Sequence, residues 1–297
     1  MALHDWIILD KPLGLGSTQA VGAVKRALRE GGYPKAKVGH GGTLDPLATG
    51  VLPVAIGEAT KLAGRLLDGD KVYDFTVRFG EQTDTLDAEG VAVATSDARP
   101  TPAEVEAVLP RFTGPISQVP PAYSALKVDG ERAYDLARAG EEVVLATRTV
   151  TVHALSRHPG EGVDEVTLTA HVSKGTYIRS LARDVALALG TVGHVVMLRR
   201  TRAGPFDLSH AVSLDKLGEC AKTCALEDIL LPLRAGLDDI PALLLDPDQA
   251  GALRQGRVLA GIKAADGVTF ATFQDVPVAL VEVGGGEVRV IRGFNLS

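Results

Sequence analysis

The sequence predicts an α+β protein that ends in a small all-β unit. Alternating segments such as Lys71-Val-Tyr-Asp-Phe-Thr-Val-Arg-Phe79 read as strands, and runs with apolar residues at helical spacing separate them. From Ile240 onward the pattern changes to one short helix followed by Gly- and Val-rich runs. At 297 residues and 45% hydrophobic content the chain can bury a large core and is long enough for two domains, placed at 1–239 and 240–297.

Taken in order, Trp6-Ile-Ile-Leu-Asp-Lys is a strand that runs into a Gly/Pro turn. Ser17 or Thr18 then caps a helix over residues 19–29. The polar loop around Asp45 is followed by the apolar run Val51-Leu-Pro-Val-Ala-Ile56, a buried strand. Residues 58–67 have helical spacing, and the strand over 71–79 sets Lys71, Tyr73, Phe75, Val77 and Phe79 on one face. Gly80 to Gly90 is a polar turn. Its acids Asp84 and Asp87 do not have calcium-loop spacing, so no metal is expected there. Thr101 caps a helix over 102–112 with Pro102 in its first turn. Pro120-Pro121 excludes a central strand from the next segment, in which residues 131–139 look helical. Strands over 148–157 and 163–172 lead into a helix whose apolar face carries Ile178, Leu181, Val185 and Leu189. Residues 208–239 are helical and linker-like. Beyond them come a helix over 248–254 and strands over 268–273 and 278–283.

The net charge of −6 argues against a nucleic-acid partner until its distribution is considered. Residues 81–106 hold seven acids against Arg99 alone, which accounts for the whole net charge. Elsewhere bases gather at Lys25, Arg26, Arg29, Lys35 and Lys37, and again at Arg199, Arg200 and Arg202, so local basic surface is available. No apolar run is long enough to span a bilayer, and the first residues lack a signal-peptide pattern, so a cytoplasmic protein is expected. Cys220 and Cys224 have no neighbouring His or Cys partners and are expected as free thiols.

One stretch organises the rest: Val38-Gly-His-Gly-Gly-Thr-Leu-Asp-Pro-Leu-Ala-Thr-Gly-Val-Leu-Pro. Pro46 biases Asp45 toward extended backbone, and the apolar strand behind the loop gives it a rigid root. The run resembles the catalytic motif of the TruB family of tRNA pseudouridine synthases, with Gly41 standing where that family commonly carries Thr or Ser. Asp10-Lys-Pro, Lys71-x-Tyr, Thr83-Asp-Thr-x-Asp, Lys174-Gly-Thr-Tyr-Ile-Arg and the 193–206 stretch resemble further motifs of the same family. The C-terminal unit resembles, more weakly, its reduced PUA domain.

The resemblance implies a mixed, mainly antiparallel sheet flanked by helices, the pseudouridine synthase fold, with a PUA-like domain after it. It implies isomerisation of uridine at position 55 in the T loop of tRNA, with the target base flipped out of the folded loop. Asp45 is then the catalytic residue. His40 helps hold the opened loop, Tyr73 stacks on the base, Tyr177 and Leu198 line the pocket, and Arg179 pairs with Asp45. A cation in the first turn of a helix opposes the helix dipole, so Arg179 calls for an anionic partner in any case. Residues 118–147 match the family's RNA-gripping insertion, which becomes ordered on RNA. Lys127, Arg132, Arg199, Arg200 and Arg202 are the candidates for its phosphates. The implied partner is the T stem-loop of tRNA, bound by a monomer with no cofactor, no metal and no membrane.

The chemistry breaks N1–C1′ and joins C5 to C1′, and it involves no redox step. Attack at C1′, attack at C6 and proton abstraction on a glycal route all use the same carboxylate. Two other classes fit some of the residues. An RNA-folding protein without catalysis would not need Asp45. A carboxylate glycosidase would need a second acid, such as Asp84, about 5 to 9.5 Å away.

Overall fold

The strands form where β-branched and aromatic residues alternate, and Gly, Pro and Asp punctuate them. The computed structural model describes residues 3–124, 126–128, 131–133, 139, 145–160 and 162–296. Two compact units result, one of residues 1–45, 51–67 and 204–297, the other of residues 46–50 and 68–203. Their division differs from the sequence division at 239/240.

In the first unit Trp6–Lys11 lies beside Ala48–Ile56, whose other edge carries Val38–His40 in antiparallel register. Trp6, Ile7, Ile8 and Leu9 are fully buried, and the Trp6 indole donates to Leu233 O at 3.2 Å. Helix Ser17–Glu30 buries Ala20, Val21, Val24, Ala27 and Leu28 and packs beside helix Leu214–Lys222. Its N-cap is Gly16, not Ser17 or Thr18 as expected. Gln19 Oε1 accepts from Gly16 N–H at 2.9 Å, while the Ser17 hydroxyl is committed elsewhere. Residues from 240 onward have a sheet and core of their own. The strand order is Ala242–Leu244, Gly267–Phe273, Val276–Gly284, Glu287–Gly293, Leu259–Ala260, and helix Pro247–Arg254, capped by Asp246, packs on it. Three of these strands escape sequence reading. Two are only two or three residues long, and Glu287–Gly293 is mostly exposed and carries three charged residues.

In the second unit the antiparallel order is Gly193–Ala203, Lys71–Phe79, Glu165–Val172, Arg148–Arg157, Gly114–Gln118. Ala48–Gly50 adds a parallel pairing to Leu198–Arg200, which makes the sheet mixed. The Lys71–Phe79 strand shows its predicted faces, with Phe75, Val77 and Phe79 buried and Tyr73 half-buried above them. Helices Ile178–Ala188 and Pro102–Val108 close this face, the latter through a Thr101/Glu104 capping box. Burial of Phe75, Leu168 and Leu181 alone contributes about 1.5–3 kcal/mol each.

The predicted helix over 131–139 is not found at its first two residues. Glu131–Arg132 instead pairs antiparallel with Lys127–Val128, and residues 134–138 and 140–144 lie outside the described residues. Much of the RNA-gripping expectation falls on them. Cys220 and Cys224 are free thiols. Among the described residues no helix is long and apolar enough to cross a membrane.

Candidate active site

The loop carrying Asp45 is built in the first unit. Ser17 Oγ donates to Leu44 O at 2.9 Å and accepts from Leu44 N–H at 2.8 Å, so one buried hydroxyl holds both backbone groups of the residue before Asp45. Gly41 N–H donates to Pro53 O at 2.9 Å, and His40 Nδ1 accepts from Gly42 N–H at 3.4 Å. Lys11, fully buried, donates from Nζ to Pro12 O and Leu15 O and ties down the turn that leads to Ser17. Leu44 is buried and Asp45 is exposed, so the clamp grips the backbone just before an exposed aspartate.

The glycine at position 41 has a local cause. A Cβ there would lie 2.7 Å from Leu66 Cδ1 and 3.0 Å from its Cβ. Gly41→Thr is therefore expected to cost about 1–3 kcal/mol in denaturant unfolding. Its combination with Leu66→Ala should cost less than the sum of the two single changes, and strict additivity would show that this contact does not set the choice of glycine.

Immediately after Asp45 the chain enters the second unit, where Gly50 lies at φ +99° and the place a Cβ would take is occupied by the Arg200 carbonyl. Any side chain there would collide with that carbonyl and lift the strand from its partner. Within the second unit, Tyr73 pairs across from Arg200 and Ala170, and Phe75 from Leu198 and Leu168. Tyr73 and Leu198 thus share one face, both half-buried at the margin of the core. Lys71 of the Lys-x-Tyr motif is buried, with Nζ donating to Gly69 O at 2.5 Å. Burial, then the charge of Arg200, lower its pKa to about 8.

Tyr177 directly precedes helix Ile178–Ala188. Gln118 holds its backbone from both sides, accepting from Tyr177 N–H at 2.8 Å and donating to Tyr177 O at 3.1 Å. The Arg148 guanidinium sits 5.4 Å from the Tyr177 ring centroid. Arg179, only 8% exposed, has the anionic partner that its place in the first turn calls for. It pairs with Asp87 at 3.1 Å and donates to Thr85 O and Tyr123 O at 2.9 and 3.0 Å. Asp87 also accepts from Thr85 Oγ1 at 2.6 Å and Glu89 N–H at 3.1 Å. Between them Leu86 is held at φ +63°, a strained conformation for a leucine, with its carbonyl accepting from Val195 N–H at 3.0 Å. Asp87 is the residue missed by sequence reasoning. Its signal was present in the Thr83-Asp-Thr-Leu-Asp run, but the partner lies 92 positions away.

The basic cluster needs correcting. Arg200 is 1% exposed and shares the Tyr73 face, so it is not a surface contact for phosphates. Arg199 and Arg202 pair across from Asp74 and Val72, on the face opposite Tyr73, and Arg199 donates to Thr49 Oγ1 at 3.4 Å. The three arginines are therefore not one patch. Lys127 and Arg132 pair with each other across their short hairpin. Asp45 and His40 belong to the first unit, and Tyr73, Tyr177, Arg179 and Leu198 to the second.

The fold is shared with chains of solved complexes. Over 98% of this chain and 85% of the other, a Cbf5-Nop10-Gar1 complex matches with TM-score 0.75 at 26% identity. An H/ACA RNP bound to a substrate RNA containing 2′-deoxyuridine matches over 99% and 86% with TM-score 0.74 at 25% identity. A family model described as TruB family pseudouridylate synthase, N-terminal domain, covers residues 29–178, and one described as tRNA pseudouridylate synthase B C-terminal domain covers 179–238. The fold and these matches define a pseudouridine synthase. Proteins named tRNA pseudouridine synthase B from Novosphingobium aromaticivorans and Zymomonas mobilis are 65% and 61% identical over 99% of this chain, spanning 98% and 97% of their own lengths. The chain belongs to the TruB family.

Proposed function

We propose that this protein isomerises uridine 55 in the T loop of tRNA to pseudouridine, with Asp45 as the catalytic carboxylate. The observation that carries this assignment is the Ser17 clamp, which fixes Leu44 through both backbone groups and leaves the next residue exposed. A carboxylate used as nucleophile or base must be ionised and aimed, and fixing the backbone beside it limits the geometries it samples.

The other assigned residues take the roles their chemistry suits. Tyr73 offers a half-buried aromatic face for the uracil ring, and Leu198, on the same face, offers apolar support. Tyr177 lines the pocket from the start of its helix, and Arg179 orients the carboxylate of Asp45. His40 steadies the loop and the displaced nucleotides. Arg199, Arg202, Lys127 and Arg132 meet the tRNA backbone, and residues 240–297 act as a PUA-like RNA-binding domain. Asp84 is engaged in turn building, accepting from Thr85 N–H and Val91 N–H at 2.9 Å and from Tyr123 Oη at 3.2 Å. That disfavours it as the second acid of a glycosidase.

The test is incubation of an unmodified tRNA transcript with the protein, followed by mapping of pseudouridine by carbodiimide-dependent primer extension. Modification at position 55 alone is the expected result. A minimal T-arm hairpin should also react in excess EDTA without added cofactor, and strict dependence of that reaction on zinc or a nucleotide cofactor would overturn the assignment.

A further inference from the structure

On the sheet face opposite Tyr73, two histidines and one aspartate converge without any part in the uridine chemistry. His171 pairs across from Val72 on one side and Ala154 on the other. The Glu165–Val172 and Arg148–Arg157 strands shift register between Val152 and Ala154, so His153 is the extra residue of a bulge. Bulges re-aim side chains, and here both His153 and Ala154 come out exposed, which brings the two imidazoles side by side. Their ring centroids lie 4.7 Å apart. Asp70, just before the Lys71–Phe79 strand, completes the group. Its Oδ2 is 3.2 Å from His153 Nε2 and 3.7 Å from His171 Nε2, and the three ligand atoms all lie within 4.8 Å of one another.

We infer that Asp70, His153 and His171 form a binding site for one divalent transition-metal ion of the zinc class. Ligand atoms at about 2.0–2.2 Å from a tetrahedral zinc stand roughly 3.3–3.6 Å apart. The two contacts to Asp70, at 3.2 and 3.7 Å, lie close to that spacing. Small rotations about the side-chain torsions bring the imidazole nitrogens to the same separation. Two imidazoles and one carboxylate suit zinc, cobalt or nickel, whereas calcium and magnesium require mainly oxygen ligands. Each ligand is between 37% and 48% exposed, so the ion enters directly from solvent and keeps water in its remaining positions. Because the ligands come from two strands and the lead into a third, the ion cross-links the sheet and stabilises the folded state without touching the Tyr73 face.

The test uses untagged full-length protein cleared of metal by chelator and titrated with Co2+ and with Zn2+. One equivalent should bind, the cobalt spectrum should show nitrogen and oxygen ligation, and the melting temperature should rise with zinc. His171→Ala, His153→Ala and Asp70→Asn should each weaken binding by more than about tenfold, the scale of losing even a supporting residue at a metal site. His210→Ala, which removes a histidine that faces a single carboxylate, should bind like the parent. A thiolate-to-cobalt charge-transfer band would place the ion on Cys224 or Cys220 and overturn the proposal. Equal affinity in parent and triple variant, or no saturable binding, would overturn it as well. The His171→Ala variant should keep the parent rate of pseudouridine formation in chelator.

Discussion

Asp45→Asn is expected to lower the single-turnover rate of pseudouridine formation by several orders of magnitude while tRNA affinity stays nearly unchanged. The amide keeps the size and polarity of the carboxylate, and the Ser17 clamp acts on the backbone of Leu44, so the loop should hold its shape. What is lost is the negative charge that attack at C1′, attack at C6 or proton abstraction would each require. On the proposed reading affinity comes from phosphate and loop contacts made by other residues, and a carboxylate contributes no attraction to a polyanion. Tritium release from C5-labelled uridine at saturating enzyme reads the rate, and gel-shift titration across a salt series reads the affinity. Substantial tritium release by the variant, or parallel loss of binding and rate, would show that Asp45 is not the catalytic carboxylate.

How much of this was legible in the sequence follows from how local each signal is. The Thr101 cap and the two faces of the Lys71–Phe79 strand depend on near neighbours, and each is found as its spacing implies. Ser17 looked like a helix cap because a serine before an apolar-periodic run usually is one. Its hydroxyl instead serves Leu44, 27 positions on, and Gly16 takes the cap. Arg200 looked like part of a surface cluster. Register shifts between Val195 and Met197 and between Arg200 and Arg202 break the simple alternation of that strand, so Arg199 and Arg202 share a face that Arg200 does not. The convergence of Asp70, His153 and His171 is likewise created by a bulge and by strand register, neither of which leaves a mark in residue spacing.

Asp87→Ala is expected to destabilise the fold by about 3–5 kcal/mol, because it strands the buried guanidinium of Arg179 without its carboxylate. Asp87→Asn should cost less, since its amide oxygen can still accept from Arg179, though its NH2 group then replaces the oxygen that accepts from Thr85 Oγ1 and Glu89 N–H. The larger consequence is for catalysis. If Arg179 orients Asp45, then loosening the pair from the Asp87 side should lower the single-turnover rate of Asp87→Asn well below that of the parent, with tRNA affinity held. A purely structural role predicts another result: a lower unfolding midpoint, with folded enzyme turning over at the parent rate. Combining Asp87→Ala with Arg179→Met should restore part of the stability, because an apolar pair replaces a broken ionic one, but none of the activity. Urea unfolding and single-turnover tritium release on the same preparations separate these outcomes. A folded Asp87→Asn protein with the parent rate would confine Asp87 to holding the 83–90 turn.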